Sequence, residues 1–217
     1  MTDELSPSLV AGLTAVLQVT VKWSNLGDVF PGVNVSDRRD DWKENYRCPD
    51  VIAFLNETEA ESFSTFWYGG PDFAIEISSP GDHTREKLDF YGKAGTRELL
   101  FIDRDPWALE LFRLRDQVLV LSGKSTLEQP DELASNVVPL SWKLIPGEKR
   151  PQIEIAHSDG EQRWVVYLMF VVRHRRHDVN TLPDFIVAVG TGCLPFGDQV
   201  FFKQPVVDHR DHDNALR

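Results

Sequence analysis

The chain is poor in cysteine, in basic residues and in long apolar runs. It has two cysteines, Cys48 and Cys193, which are too few for a disulfide framework or a cysteine-rich metal site. The longest apolar run spans 164–172, well short of the roughly 20 residues that cross a bilayer. The N-terminus has no basic segment leading into an apolar run, so we expect no secretory signal and predict a cytoplasmic protein.

Basic residues are outnumbered by acidic ones. Lysine and arginine total 23 against 34 aspartates and glutamates, a net charge of -11. This balance argues against charge-driven coating of nucleic acid, which needs a basic surface. All of the net charge lies in residues 1–166, and residues 167–217 are balanced. We therefore predict one domain over 1–166 and an atypical C-terminal tail over 167–217 that is poorly ordered beyond about residue 172.

The first half of the sequence alternates between strand and helix patterns. Apolar spacing over 7–23 predicts a helix that frays into a strand-like VTV segment. Short apolar runs at 50–55 and 72–78 are typical of strands covered on both faces. A helix over 84–94 and a strand over 98–103 follow, so the strands on either side of that helix should be parallel.

The second half favours antiparallel strands. Segments 108–114 and 117–121 predict a hairpin, and 152–157 with 162–166 predict a second, terminal hairpin. Residues 122–150 are interpreted as rich in loops. The fold class is therefore α/β, with a mixed sheet flanked by helices and an antiparallel hairpin extension.

Acidic side chains interrupt the apolar run "PDFAIEISSP". Side chains two apart in a strand share a face, so Asp72 and Glu76 project the same way. If the preceding strand is a neighbour, Asp50 at its start can converge with Glu76. Converging carboxylates repel unless a cation lies between them, and Mg²⁺ suits such a pair. Lys87 and Tyr91 would share one face of the next helix.

Each of these residues also has an ordinary structural explanation. Asp50 and Asp72 both follow proline, where aspartate is frequent in turns. Lys87 could be a solvated helix lysine, and Tyr91 could serve packing. Glu76 is the hardest to explain in this way, because a glutamate between two isoleucines in a buried strand needs a partner or a metal.

Several segments in order resemble one known family. "RCPDVIAFL", "GGPDFAIEISSPGD", "REKLDFYGKAG" and "RELLFIDRDPWALELFRL" are similar to the bacterial Uma2 family of restriction endonuclease-like proteins, a branch of the PD-(D/E)xK nuclease superfamily. The later "IPGEKRPQIEIAHSDGEQRW" resembles the closing segment of that family. The similarity spans about residues 6–166.

The resemblance implies a restriction-endonuclease-like fold with a Mg²⁺ site, which could also take Mn²⁺, at one end of the sheet. Asp50 matches the motif aspartate, Glu76 matches the acid of (D/E)xK, and the carbonyl of Ile77 would be a further metal ligand. Ser78 stands where the motif has lysine. Lys87 fits the family position from which a lysine is supplied by the next helix. Asp72 and Tyr91 are second-rank site candidates.

The function implied is Mg²⁺-dependent hydrolysis of phosphodiester bonds in DNA, with weak non-specific affinity and a homodimer as a candidate assembly. Family members usually begin with a hairpin that carries another glutamate, and none is evident here. This departure and the acidic composition favour an alternative, a catalytically degenerate binding or assembly module on the same fold. Two polar clusters, at 173–177 and 209–213, lie outside the resemblance and are more typical of solvated chain than of a basic patch or metal site.

Overall fold

The computed structural model of the chain describes residues 5–78, 86–167, 170–175 and 186–188. Within these ranges there are two α-helices, α1 (Leu5–Leu17) and α2 (Lys87–Ala94). A π-helical turn (Gln18–Lys22) extends α1, and a 3-10 turn spans Trp42–Glu44. None of the helices in these ranges is long and apolar enough to span a membrane.

The strands form three sheets. Those of the first half are β1 (Gly27–Pro31), β2 (Val35–Ser36), β3 (Tyr46–Arg47), β4 (Val51–Leu55), β5 (Glu61–Ser62), β6 (Trp67–Tyr68), β7 (Phe73–Ile77), β8 (Glu98–Arg104), β9 (Trp107–Arg115) and β10 (Val118–Ser125). Those of the second half are β11 (Leu133–Ala134), β12 (Leu140–Ile145), β13 (Gln152–His157), β14 (Gln162–Tyr167), β15 (Phe170–Arg175) and β16 (Ile186–Ala188). The central sheet has the order β1-β4-β7-β8-β9-β10, the second sheet runs from β11 to β16 in sequence order, and the small sheet has the order β3-β2-β6-β5.

The central sheet is mixed, as predicted. Strands β7 and β8 are parallel and are connected through α2, whereas β4 pairs with β7 in the antiparallel sense. Helix α2 ends at Gly95, whose φ of 91° is a left-handed conformation that glycine adopts without strain. The α/β class, the parallel strand-helix-strand unit and the antiparallel extension are therefore confirmed.

One face of the central sheet packs a large apolar cluster against α1 and the second sheet. Side chains of alternate strand residues, such as Val51, Ile75 and Ile102, form this core. Phe73 stacks on Trp142 of β12 with ring centres 5.0 Å apart, so the two large sheets share one core. Helix α1 covers this face, so the sheet separates α1 from the residues of the opposite face.

The opposite face is covered by α2 and the small sheet. Ile52, Ala74 and Phe101 pack there against Tyr91 of α2. The small sheet is joined to the central one by Trp67, whose ring stacks on Phe54 at 3.7 Å. Strand alternation places Glu76 on this face, between Ile75 and Ile77 of the other face.

The VTV segment predicted as strand-like is a turn of π-helix instead. Thr20 donates its hydroxyl to the carbonyl of Val16 at 2.9 Å, and Val21 is fully buried. Packing of this turn on the sheet therefore outweighs the preference of β-branched residues for strands, which depends strongly on context.

The interpretation of residues 122–150 as loop-rich is wrong in part. Strand β10 continues to Ser125, and β12 occupies Leu140–Ile145. The buried residues Leu140, Trp142 and Leu144 have the period of two typical of a half-buried strand, so the signal was present in the sequence. The β9–β10 turn is at Asp116 and Gln117, both with positive φ, one residue later than predicted.

The second sheet continues past residue 166. Strand β15 pairs with β14, and β16 pairs with β15. The rest of the tail, including the cluster at 209–213, lies outside the described residues, and its predicted low order stays a prediction.

Candidate active site

Asp50 and Glu76 come together at one edge of the central sheet. The register of β4 on β7 pairs Val51 with Ile75 in the antiparallel sense. Asp50 immediately precedes β4 and therefore lies opposite Glu76. Both residues alternate onto the face covered by α2. The carboxylate of Asp50 accepts the N–H of Ile77 through Oδ2 at 2.8 Å. The two predicted metal ligands therefore lie on the same face at adjacent strand ends.

Helix α2 holds both oxygens of Glu76. Glu76 is 2% exposed, and its Oε2 accepts a hydrogen bond from Nζ of Lys87 at 3.0 Å. Its Oε1 accepts a hydrogen bond from the hydroxyl of Tyr91. Lys87 and Tyr91 are one helical turn apart and reach the same carboxylate. The structure thus brings Asp50, Glu76, Lys87 and Tyr91 into one cluster.

The surroundings of Glu76 disfavour the ionised form of its carboxylate. Burial raises the pKa of Glu76, the Tyr91 and Lys87 contacts lower it, and the charge of Asp50 raises it again. The net effect raises the pKa of Glu76, so a cation beside this carboxylate would stabilise its ionised form.

Tyr91 acts in this cluster as a neutral hydrogen-bond donor. Its side chain is fully buried, and burial, followed by the charge of Glu76, raises its pKa well above the ordinary tyrosine value. A phenol that does not ionise keeps its proton directed at Oε1 of Glu76. Tyr91 therefore fixes the orientation of the carboxylate.

The backbone of Ile77 adds an oxygen on the side of Asp50. In an extended strand the N–H and C=O of one residue point to the same neighbour. The N–H of Ile77 points to Asp50, so its carbonyl points that way too. Each carboxylate oxygen has more than one acceptor direction, so the contacts with Lys87 and Tyr91 leave capacity on Glu76.

Two carboxylates and one carbonyl form a donor set of the kind that Mg²⁺ takes together with water. Among the residues that the structure describes, no three side chains of His, Cys, Asp or Glu form a group that could hold a metal ion. A metal at this edge would thus depend on the Ile77 carbonyl and on water for its further ligands.

Asp72 lies away from this cluster. It shares a face with Glu76, but four residues of extended strand separate the two by ~13 Å. Its carboxylate accepts the N–H of Leu55 at 2.8 Å and pairs with Arg97 at 3.0 Å. These partners fix the opposite end of β7, and the structure does not bring Asp72 to Glu76.

Asp103 lies within β8, and its Oδ1 accepts a hydrogen bond from the hydroxyl of Ser78 at 3.1 Å. The carbonyl of Ser78 accepts Nε of the buried Arg104 at 2.8 Å. Alternation within "FID" would have placed Phe101 and Asp103 on one face. Ser78, at the motif lysine position, is thus held by β8.

Arg47 and Cys48 lie beside the cluster. The guanidinium of Arg47 is 4.8 Å from the ring centre of Phe90, and its charge lowers the pKa of Tyr91. Partial burial raises the pKa of the Cys48 thiol, the charges of Asp50 and Glu76 raise it further, and Lys87 opposes them. The segment that precedes Asp50 therefore follows the rim of the cluster.

Comparison with known proteins identifies the family. Residues 3–146 match the model of the Uma2 family, described as "Putative restriction endonuclease". The chain belongs to the Uma2 family. The matched part of this Uma2 chain includes Asp50, Glu76, Lys87 and Tyr91. No match was found among curated proteins.

A solved structure is also similar to this Uma2 family member. It is a putative nuclease belonging to DUF820 from Anabaena variabilis ATCC 29413, with 20% sequence identity and a TM-score of 0.45. The alignment covers 59% of this chain and 70% of that one.

Proposed function

We propose that this protein is a metal-dependent endonuclease that hydrolyses phosphodiester bonds, with DNA as its substrate. The observation that carries the proposal is the buried Glu76, held by Lys87 and Tyr91 and placed next to Asp50. A fold has no need to put a second acid beside a glutamate that burial already destabilises as an anion. A metal-binding role accounts for both acids.

Asp50, Glu76 and the carbonyl of Ile77 would hold the metal, Mg²⁺ or in its place Mn²⁺. When bound, such an ion supplies charge stabilisation at the phosphate and a more acidic water. The donor set is hard oxygen, which fits these ions rather than zinc or copper.

Lys87 would act on the water and on the phosphate. Its side chain is 29% exposed, so the ammonium reaches from solvent to the carboxylate of Glu76. From there it can orient an attacking water and offset the charge that develops on phosphate oxygens. Tyr91 would hold the carboxylate of Glu76 in a fixed orientation while the water and the phosphate enter and leave the site.

The proposal is tested by cleavage of plasmid and single-stranded DNA with Mg²⁺, with Mn²⁺ and with EDTA. The variant is Asp50→Asn, which keeps shape and removes charge. Its matched control is Asp72→Asn, because Asp72 is a buried acid immediately before the neighbouring strand β7 and has its own cation partner. We expect metal-dependent cleavage that Asp50→Asn abolishes and the control retains per folded molecule. Equal cleavage by wild type and Asp50→Asn would refute the assignment.

The alternative is a degenerate nuclease fold that binds or assembles without cleaving. It is favoured by the net charge of -11 and by α1, which carries no acidic residue and lies on the other face of the sheet from Glu76. Calorimetric titration with Mn²⁺ separates the two, because a degenerate module needs no ion at Asp50 and Glu76. Homodimerisation and a cytoplasmic location remain part of the proposal.

A further inference from the structure

Four aromatic rings form a continuous row on the small sheet and the turn before it. Phe63 stacks on Phe66 with ring centres 4.8 Å apart, and Phe66 stacks on Trp42 at the same distance, both pairs within 9° of parallel. Tyr46 meets Trp42 edge-on at 5.5 Å. We call Phe63, Phe66, Trp42 and Tyr46 the aromatic row.

The ends of the aromatic row face solvent. Phe66 in the middle is 5% exposed, whereas Phe63 at one end is 37% exposed and Tyr46 at the other is 43% exposed. Single exposed apolar residues are ordinary, but a set of contacting rings whose end residues are exposed offers ring surface to another flat group. The core of the central sheet does not account for these end positions, since neither ring belongs to its buried clusters.

Cationic groups lie over the rings of this region. The guanidinium of Arg39 is 5.7 Å from the ring centre of Phe63, and Nζ of Lys43 is 5.8 Å from that of Trp42. Arg47, the residue after Tyr46, lies over Phe90. Aromatic faces interleaved with arginine and lysine are the combination that binds bases and backbone of single-stranded nucleic acid.

The aromatic row leads directly to the candidate active site. Tyr46 is followed by Arg47, Cys48 and Pro49 and then by Asp50, so at most ~14 Å of chain separates the last ring from the proposed metal ligand. The charges of Arg47 and Asp50 both act on Tyr91 beneath. A nucleic-acid strand bound along the aromatic row would thus reach the carboxylates of Asp50 and Glu76 within a few nucleotides.

The charges around the row argue for unpaired bases rather than a duplex. Acidic groups accompany the basic ones, since Arg39 pairs with Glu61, and Asp37 accepts both hydrogen bonds from the amide of Asn45. A duplex is held mainly through its phosphates and needs an extended basic surface, whereas acidic partners offset part of the basic charge here. Stacking on aromatic rings adds binding energy to the local positive charge of Arg39 and Lys43.

We propose that the aromatic row binds unpaired nucleobases, so that the preferred substrate is single-stranded nucleic acid or a duplex with a single-stranded segment. This inference rests on the proposed nuclease function for its substrate, but the binding surface is separate from the metal site. It explains how an acidic protein can hold a polyanion next to its carboxylates.

The test is fluorescence anisotropy with a labelled single-stranded 20-mer and a blunt duplex of the same sequence, in EDTA. Wild type should bind the single strand at least about tenfold more tightly than the duplex at the same salt concentration. The double variant Tyr46→Ala/Phe63→Ala should weaken single-strand binding at least about tenfold. Trp23→Ala is the control, because Trp23 is an aromatic residue 57% exposed elsewhere on the surface.

A second variant separates stacking from loss of apolar area. Tyr46→Leu/Phe63→Leu retains apolar side chains without rings and should weaken binding as much as the alanine pair, with the thermal midpoint close to that of wild type. Tighter binding of the duplex, unchanged binding by both double variants, or equal loss in Trp23→Ala would overturn the proposal. A change in sedimentation without a change in DNA binding would also overturn it, by assigning the row to a second copy of the chain.

Failure of the row and failure of the proposed nuclease are distinguishable. Glu76→Gln should lose cleavage and retain single-strand binding, because Glu76 is not part of the row. If wild type bound the single strand through the row yet cleaved nothing with Mg²⁺ or Mn²⁺, the nuclease proposal would fail and the binding surface would stand.

Discussion

Two glutamates of the central sheet are equally buried and are held by different sets of partners. Glu98 and Glu76 are each 2% exposed. Glu98 pairs with Nε of Arg113 at 2.9 Å, accepts the N–H of Asn136 at 3.0 Å and accepts the hydroxyl of Ser135. Its partners come from β9 and from the loop before β12, so Glu98 ties the two large sheets together.

Among the residues that the structure describes, the side-chain partners of Glu76 come from helix α2, and a second acid lies beside it. Lys87 and Tyr91 both belong to α2, and Asp50 lies at the neighbouring strand end. A buried acid with a cation and a backbone donor from separate elements stabilises a fold, whereas an acid with another acid next to it is costly unless it binds something. The comparison separates a structural glutamate from a functional one at equal burial.

The largest effect that would sharpen this comparison is expected from Glu76→Gln. The amide keeps the shape and can still accept from Tyr91, but it removes the charge that would hold a metal. We expect kcat/KM for DNA cleavage to fall about 10³-fold, or about 4 kcal/mol of transition-state stabilisation. Cleavage is measured on plasmid DNA with Mg²⁺. A variant as active as wild type would show that Glu76 is structural like Glu98.

The matching change at the structural glutamate is Glu98→Gln. It leaves the guanidinium of Arg113, 28% exposed, without its carboxylate, and weakens the contacts to Ser135 and Asn136. We expect the free energy of unfolding to fall by about 3 kcal/mol, with cleavage per folded molecule unchanged. Urea unfolding measures the first and an active-site-normalised rate the second. A stable but inactive variant would reverse the comparison.

The sequence distinguishes these glutamates only in part. Glu76 stands out because it lies between two isoleucines of a short apolar run, where no turn or solvated role is available. Its partners are near in sequence, since Lys87 and Tyr91 begin the next helix. Local periodicity therefore sufficed to predict the strand-helix-strand unit and the shared helix face of Lys87 and Tyr91, whereas the assignment of Lys87 to the site came from the resemblance to the family and stays a prediction.

Glu98 could not be recognised in the same way. Its partners Ser135 and Asn136 are more than 30 residues away, in a segment interpreted as loop. Long-range pairing of this kind leaves no local pattern in the sequence. For the same reason, the sequence predicts only a terminal hairpin where the structure has the second sheet. The aromatic row has no local pattern for the same reason, since Phe63 and Trp42 both stack on Phe66 only when β5, β6 and the 3-10 turn are assembled.

A smaller loss of activity is expected from Lys87→Met, which tests whether α2 takes part in chemistry or only in packing. Methionine keeps the length of the side chain and removes the ammonium beside Glu76. We expect cleavage to fall about 10²-fold, or about 2.7 kcal/mol. Lys93→Met is the control, because Lys93 is on the same helix and pairs with Asp89 in solvent. Equal losses in both variants would assign the effect to the helix rather than to Lys87.

The smallest effect is a dependence of stability on pH. Burial raises the pKa of Glu76, so its ionisation costs folding free energy as pH rises through the raised value, and protonation relieves this cost at lower pH. Glu76→Gln cannot ionise there, so in EDTA the unfolding free energy of the variant should gain on that of wild type as pH rises above the ordinary glutamate range. Urea midpoints from pH 5 to pH 8 measure the difference. Added Mn²⁺ should reverse the trend in wild type alone, because a bound cation stabilises the ionised form of Glu76. If the difference in unfolding free energy between variant and wild type stayed constant with pH, Asp50 and burial would not act on Glu76 as inferred.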